Sequence, residues 1–312
     1  MSEPRSWILS EPYAGLQAQA LGLAEGAGLA PEVRDLHPRA PWRYVAAKLW
    51  PAPLAAVAPQ AIAPPLAELV IGAGGVAAAV GAALRRRGAR VVQVQHPRMD
   101  IRRFDLVLAT RHDRLTGPNV LVTRTALHRV TPARLQAAAE AWGSRFAHLP
   151  RPLVSVLVGG SNGRWRLDAR AGTDLAAGLA EMMRADRVGL ALTPSRRTDP
   201  RVARLLADAL APLGGWLWDG TGENPYFALL ALADAIVVTT DSMSMISEAV
   251  ATRAPVMLAR LPGRSRRQSA FIDALAAEGR VRRFQGRLDL WPVEAIDDTA
   301  AAAAEMRRRL GF

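Results

Sequence analysis

Four oxygen-bearing side chains, Asp241, Ser242, Ser244 and Glu248, follow the apolar run Ala235–Thr239 inside the segment Gly222–Val250. At about 100° per residue, Asp241, Ser244, Ser247 and Glu248 fall on one side of a helix, and Met243, Ile246 and Val250 on the other. A helix that opens at the carboxyl end of a parallel strand presents free N–H groups and a positive dipole end to whatever sits above it. A carboxylate two turns in then reaches a ribose hydroxyl pair. The pattern fits a nucleotide-sugar site, with Asn224 in the same segment. The competing reading is a capped amphipathic helix with a polar outer face.

Two further turns carry related chemistry. The apolar run Leu153–Val158 leads into Gly159-Gly160-Ser161-Asn162-Gly163, then Arg164-Trp165-Arg166. Backbone N–H groups of such a turn approach an anion closely because no Cβ intervenes. The spacing is not that of a P-loop, which needs a Gly-Lys-Ser/Thr ending, and an ordinary tight turn is the alternative. Ser195-Arg196-Arg197-Thr198 follows another apolar run, and guanidinium forks beside hydroxyls match diphosphate oxygens in geometry and charge. Three polar turns at the strand ends of one sheet reinforce each other, because ligands of open parallel sheets bind there.

Other candidates carry less. Gly72-Ala73-Gly74-Gly75-Val76-Ala77 fits G-x-G-x-x-A, which would suit a nicotinamide-dependent epimerase. The strand after it ends in Gln93, Gln95 and His96 where a dinucleotide site wants an acid, so close helix–sheet packing explains the glycines better. The five histidines are not paired at metal-ligand spacing, and no Asp-x-Asp occurs; neither a metal nor a cofactor is expected. His112 and Asp113, just past the strand Phe104–Ala109, are candidates for a base that deprotonates an acceptor hydroxyl, as is Glu11. A loop histidine beside a capping aspartate is the plainer account.

These turns need strands and helices to hold them. Further β-rich runs lie at Ser6–Ser10, Glu68–Gly72, Arg90–Gln95, Asn119–Thr123, Arg187–Thr193, Gly215–Trp218 and Pro255–Ala259, with a short one near Val281. Helical patterns separate them, from Gly15–Gly28 to a last helix over Val293–Leu310, and Thr131–Pro132 and Asp199–Pro200 read as N-caps followed by proline. Continuous apolar strands alternating with helices predict parallel sheets covered on both faces. The chain of 312 residues suggests two α/β domains of about 150 residues each, with HLPRP at His148–Pro152 as linker. The expected division is 1–148, 153–292 and a C-terminal helix, 293–312, that packs back on the first domain. The proline-rich stretch Pro31–Pro65 is expected to be irregular or helical.

Half the residues are apolar and 22% are charged, with no cysteine and a net charge of +12. Disulfides, thiolate metal sites and cysteine nucleophiles are thereby excluded. No run nears the roughly eighteen apolar residues of a membrane span, and the first residues do not read as a signal peptide, so a cytoplasmic protein is expected. Arginine clusters such as Arg85–Arg87, Arg102–Arg103 and Arg307–Arg309 would attract phosphates or an anionic membrane surface; the plainer reading of most of them is solvated helix ends, where arginine complements the dipole. Without interleaved aromatics, a zinc finger or a helix-turn-helix, nucleic acid is not the expected partner. The sequence does not fix an oligomeric state.

VQHPR (Val94–Arg98), FDLVLATRHDRLTGPNVLVT (Phe104–Thr123), ALHRVTP (Ala126–Pro132), GGSNGRWR (Gly159–Arg166), SRRT (Ser195–Thr198) and GENPY…ADAIVVTTDSMSMISEA (Gly222–Ala249) together resemble the "elongated mitochondria" mitochondrial-fission-factor family. The resemblance spans essentially the whole chain. It implies a fold similar to the B-type (GT-B) glycosyltransferases, two Rossmann-like α/β domains whose parallel sheets face across a nucleotide-sugar cleft. It places the donor on the second domain, with Glu248 at the ribose, and implies metal-independent transfer to an envelope or lipid-linked acceptor at the inner-membrane surface. The alternative it carries is a non-catalytic adaptor with a protein partner. Where the family carries a lysine in its first loop, this chain reads Ser10-Glu11-Pro12-Tyr13-Ala14-Gly15; Gly15 and Gln19 are kept on the acceptor side.

Overall fold

The computed structural model describes residues 4–312. The chain forms two compact units, one comprising residues up to Arg129 together with Asp297–Phe312, the other Val130–Ile296.

The first unit has strands β1 (Ser6–Ser10), β2 (Glu32–Asp35), β3 (Leu69–Ala73), β4 (Arg90–Val94), β5 (Leu106–Thr110) and β6 (Val120–Thr123). They form one sheet in the order β2-β1-β3-β4-β5-β6, parallel throughout. Alternate side chains enter different cores, as a strand period of two requires. Trp7, Val70, Val91 and Val107 pack against helix α2 (Gly75–Arg85), while Ile8, Ile71, Val92 and Leu106 pack against α1 (Ala14–Gly26) and the last helix, α9 (Thr299–Leu310). Strands apolar on both faces are what a doubly covered parallel sheet demands.

The second unit begins with α3 (Pro132–Phe146) and continues through β7 (Leu153–Val158), α4 (Ala169–Asp186), β8 (Gly189–Pro194), α5 (Pro200–Leu210) and β9 (Trp216–Leu217). It ends with α6 (Tyr226–Leu232), β10 (Ala235–Thr239), α7 (Met243–Val250), β11 (Val256–Ala259), α8 (Arg266–Ala277) and β12 (Val281–Arg283). The sheet order is β12-β11-β10-β7-β8-β9, again all parallel. The order reverses between β7 and β10, which opens a crevice at the carboxyl ends of those strands. The Thr131 hydroxyl accepts from Arg134 N–H at 3.2 Å and the Asp199 carboxylate from Arg201 N–H at 2.8 Å, so both proline-led helices start at caps.

Three expectations need correction. His148–Pro152 is not a linker: Phe146 and Leu149 are buried in the core of the second unit, and α3 belongs to that unit. Within Pro31–Pro65 a strand, β2, pairs with β1. Its sequence, EVRD, is mostly exposed at the sheet edge, so no apolar periodicity marks it. The last helix starts at Thr299 rather than Val293; Ala302, Ala303 and Met306 bury it against Ala20, Leu23 and Ala24 of α1.

Candidate functional site

The strands β10, β7 and β8 are neighbours, so the turns that follow them are brought together by the sheet itself. One carboxylate ties them. Asp241 accepts from Gly160 N–H at 3.0 Å, from the Thr239 hydroxyl at 2.7 Å and from Arg197 Nη2 at 2.8 Å. Arg197 Nη1 also donates to the Gly160 carbonyl at 3.3 Å, and the Thr198 hydroxyl donates to the Gly159 carbonyl. The Asp241 side chain is wholly buried while that of Arg197 remains 42% exposed. A buried carboxylate is tolerated only when its charge and lone pairs are met, and here three donors from three segments meet them. Gly159 and Gly160 are glycines for that reason: a Cβ on Gly159 would run into the Asp241 carboxylate, and one on Gly160 into the Arg197 backbone.

Asp241 is therefore not on the helix face that periodicity gave it. α7 begins at Met243, with Ser242 as N-cap accepting from Met245 N–H at 3.3 Å, and Asp241 turns back over the β7 turn. The rest of that turn is exposed. Asn162 Oδ1 accepts from Arg164 N–H and Trp165 N–H at 2.9 and 3.1 Å, and Ser161 Oγ from Leu167 N–H at 2.9 Å. The N–H groups of Ser161 and Gly163 have no partner among the described residues, and a Cβ on Gly163 would meet open space. Trp165 pins the far end: its ring is buried, and Nε1 donates to Gln268 Oε1 at 2.8 Å. Gln268 in turn donates to the Thr240 carbonyl. Neither contact is visible in a sequence, since each joins segments about 100 residues or 28 residues apart.

In the β8 turn, Ser195 Oγ accepts from Arg197 N–H at 3.2 Å, and Ser195 N–H donates to Thr198 Oγ1 at 2.9 Å. Arg196 is exposed and makes no hydrogen bond or ion pair among the described residues. Ser244 is half-buried in the first turn of α7. Glu248 and Ser247 are buried, so the polar side of α7 is not a solvent face. The Tyr226 hydroxyl donates to Glu248, and burial pushes the Glu248 carboxyl up to about 7 despite that bond. Asn224 Oδ1 accepts from Tyr226 N–H at 3.0 Å and so starts α6, which carries that tyrosine.

In the first unit, Gln19 donates to the Gly15 carbonyl at 3.0 Å and accepts from Gln95 Nε2 at 3.2 Å, which ties α1 to the carboxyl end of β4. Glu11 lies half-buried before α1, and burial raises its carboxyl above the usual range. Asp113 accepts from both the Thr110 N–H and hydroxyl, at 3.1 and 2.9 Å, and His112 Nε2 lies 2.7 Å from that hydroxyl; the aspartate caps a short turn. Two glycines of Gly72–Ala77 serve packing: a Cβ on Gly74 would meet Leu16, one on Gly72 would meet Gln93, and Gln93 Nε2 donates to the Gly74 carbonyl at 3.2 Å, while a Cβ on Gly75 would meet open space. No helix is long and apolar enough to cross a membrane among the described residues.

Solved structures share this architecture. The UDP-GlcNAc 2-epimerase of Methanocaldococcus jannaschii, in complex with UDP-GlcNAc and UDP, superposes with a TM-score of 0.59 at 11% identity, covering 98% of this chain and 99% of that one. Medicago truncatula UGT71G1, complexed with UDP-glucose, gives 0.55 at 12% identity, covering 97% and 93%. At such identities the likeness is one of fold, and the fold is GT-B-like. In sequence, the Arabidopsis thaliana "Mitochondrial fission protein ELM1" is 34% identical over 276 residues, 78% of this chain and 64% of that protein. The chain thus spans less than two thirds of this relative's length. The profile of the family described as "Mitochondrial fission ELM1" matches residues 14–310. With nearly its whole length matched, the chain belongs to the mitochondrial fission ELM1 family.

Proposed function

We propose that the second unit binds a nucleotide-diphosphate sugar over the ends of β10, β7 and β8, and that the protein passes the sugar to an envelope or lipid-linked acceptor. The observation that carries this reading is the Asp241 knot. It holds three strand-end turns together at the reversal of strand order, the place where open parallel sheets take ligands. Around it, the Ser161 and Gly163 N–H groups, the Arg196 guanidinium and the hydroxyls of Ser242 and Ser244 offer positive charge and donors to a diphosphate. Glu248 would take the ribose hydroxyls. The UDP complexes of the structural neighbours make uridine the first base to try.

Transfer would break the bond between sugar C1 and the β-phosphate oxygen, join C1 to the acceptor oxygen and hand the acceptor proton to a base. Glu11, with its carboxyl raised by burial, suits proton uptake better than Asp113, whose carboxylate already serves Thr110. Arginine and N–H groups would carry the leaving-group charge in place of a metal ion.

A second reading, a non-catalytic adaptor, is favoured by one feature besides the family. Gly160 N–H and Arg197, two of the donors a diphosphate would seek, are already engaged by Asp241. Thermal melts with UDP, ADP, GDP and CMP derivatives at millimolar concentration separate the two. A ligand present at a hundred times its Kd adds about 2.7 kcal/mol of stability. If none of the panel shifts the melt and Glu248→Ala has no cellular effect, the adaptor reading stands.

A further inference from the structure

From Leu36 to Ala67 the chain has no acidic residue, and its one lysine, Lys48, lies within that stretch together with Arg39 and Arg43. The excursion leaves the first unit's sheet at the carboxyl end of β2, where Leu36 N–H donates to the Ser10 carbonyl at 2.8 Å. Its base is firmly built. Trp50 is buried, donates from Nε1 to the Val45 carbonyl at 3.0 Å, and packs 6.5 Å from the Trp42 ring. Two short turns, Trp42–Tyr44 and Ala47–Leu49, shape the outer side.

On that outer side stand side chains that water does not reward. Tyr44 is 74% exposed, Leu49 65% and Val45 40%. Single exposed hydrophobics are ordinary, but these three fall within six residues and are interleaved with Arg43 and Lys48. The Arg43 guanidinium lies 4.7 Å from the centre of the Tyr44 ring. An amphipathic ring and aliphatic tips flanked by cations match the boundary between anionic headgroups and acyl chains.

We propose that residues 39–51 form a docking surface for an anionic membrane. Tyr44, Val45 and Leu49 enter the headgroup boundary while Arg39, Arg43 and Lys48 pair with lipid phosphates. The charge complementarity selects the occupant: a run of cations with no carboxylate among them attracts a uniformly negative surface. This surface stands independently of whether the second unit binds a nucleotide.

Co-sedimentation of the full chain with lipid vesicles tests it. Binding is expected to phosphatidylcholine vesicles containing about 30% phosphatidylglycerol, and to be about tenfold weaker to phosphatidylcholine alone or in about 0.5 M salt. The double variant Tyr44→Ser/Leu49→Ser and the triple variant Arg39→Gln/Arg43→Gln/Lys48→Gln should each lose about tenfold in partitioning. Their melting temperatures should stay unchanged, because the replaced side chains are exposed. Several results overturn the proposal: no binding by the unaltered protein, full binding by both variants, or loss only with Arg86→Gln/Arg103→Gln on the arginine cluster beside α2. Sedimentation velocity supplies another; a dimer that Tyr44→Ser/Leu49→Ser dissolves would make a second copy the occupant.

Discussion

The two units both place polar turns at the carboxyl ends of parallel strands, and they secure those turns with different chemistry. In the second unit a buried carboxylate, an arginine and backbone N–H groups lock three turns together. In the first unit two glutamines join α1 to β4 through neutral bonds, and Gln95 adopts a left-handed backbone at φ 70° to do so. Charge-assisted bonds are stronger and more directional than neutral ones. A site that must present N–H groups at fixed positions to an anion needs that rigidity before the ligand arrives. In the first unit a carboxylate, Asp113, caps only its own turn after β5, and the link from α1 to β4, made by amides, has less invested in a single geometry.

Breaking the knot should show the largest effect. Asp241→Ala strands the Gly160 N–H and the Thr239 hydroxyl and takes the ion-pair partner from Arg197, and urea denaturation is expected to show a loss of about 3 kcal/mol. Gly159→Ala should cost a similar amount by forcing the carboxylate aside. A loss below about 1 kcal/mol for both would mean that the two units are secured alike.

Glu248 gives the next effect, and it depends on pH. Its folded carboxyl sits at about 7, above its ordinary 4.5, because burial disfavours the charged form. Between those values the unfolded chain has given up the proton and the folded chain keeps it, so this group lowers stability as pH rises from about 4.5 to 7. Relative to Glu248→Gln, the unaltered protein should therefore lose about 2–3 kcal/mol over that window, read from urea midpoints at several pH values. If ribose hydroxyls donate to the ionised carboxylate, UDP binding should strengthen through pH 7 in the unaltered protein and not in the variant.

Arg196→Ala should weaken UDP binding about tenfold in calorimetry with no change in melting temperature, since the side chain has no internal partner. In the first unit, Gln19→Ala should cost about 1 kcal/mol and leave UDP binding intact. If instead Gln19→Ala abolishes UDP binding while Arg196→Ala is silent, the donor assignment belongs to the other unit.

Much of this was legible in the sequence, for identifiable reasons. β1, β7 and β10 coincide with the runs Ser6–Ser10, Leu153–Val158 and Ala235–Thr239, because strands buried on both faces are continuously apolar and end abruptly in polar turns. β2 was hidden because an edge strand of four largely exposed residues has no such signature. The three turns were found from their composition. Their closure was not, since Thr239, Asp241 and Gly160 meet only after β10 pairs with β7, and Trp165 meets Gln268 only after α8 is in place. Helical periodicity misplaced Asp241 because it cannot tell a residue preceding the N-cap from one within the first turn.

The return of α9 to the first unit has a practical corollary. Residues 130–296 are one unbroken piece that could be produced alone, whereas its companion can be rebuilt only by splicing residue 129 to 297. The two crossing points lie close together: His128 Nε2 is 3.4 Å from Asp297 Oδ1, and the His128 N–H donates to Thr299 Oγ1 at 3.3 Å. The gene for this protein thus reads as one domain interrupted by another.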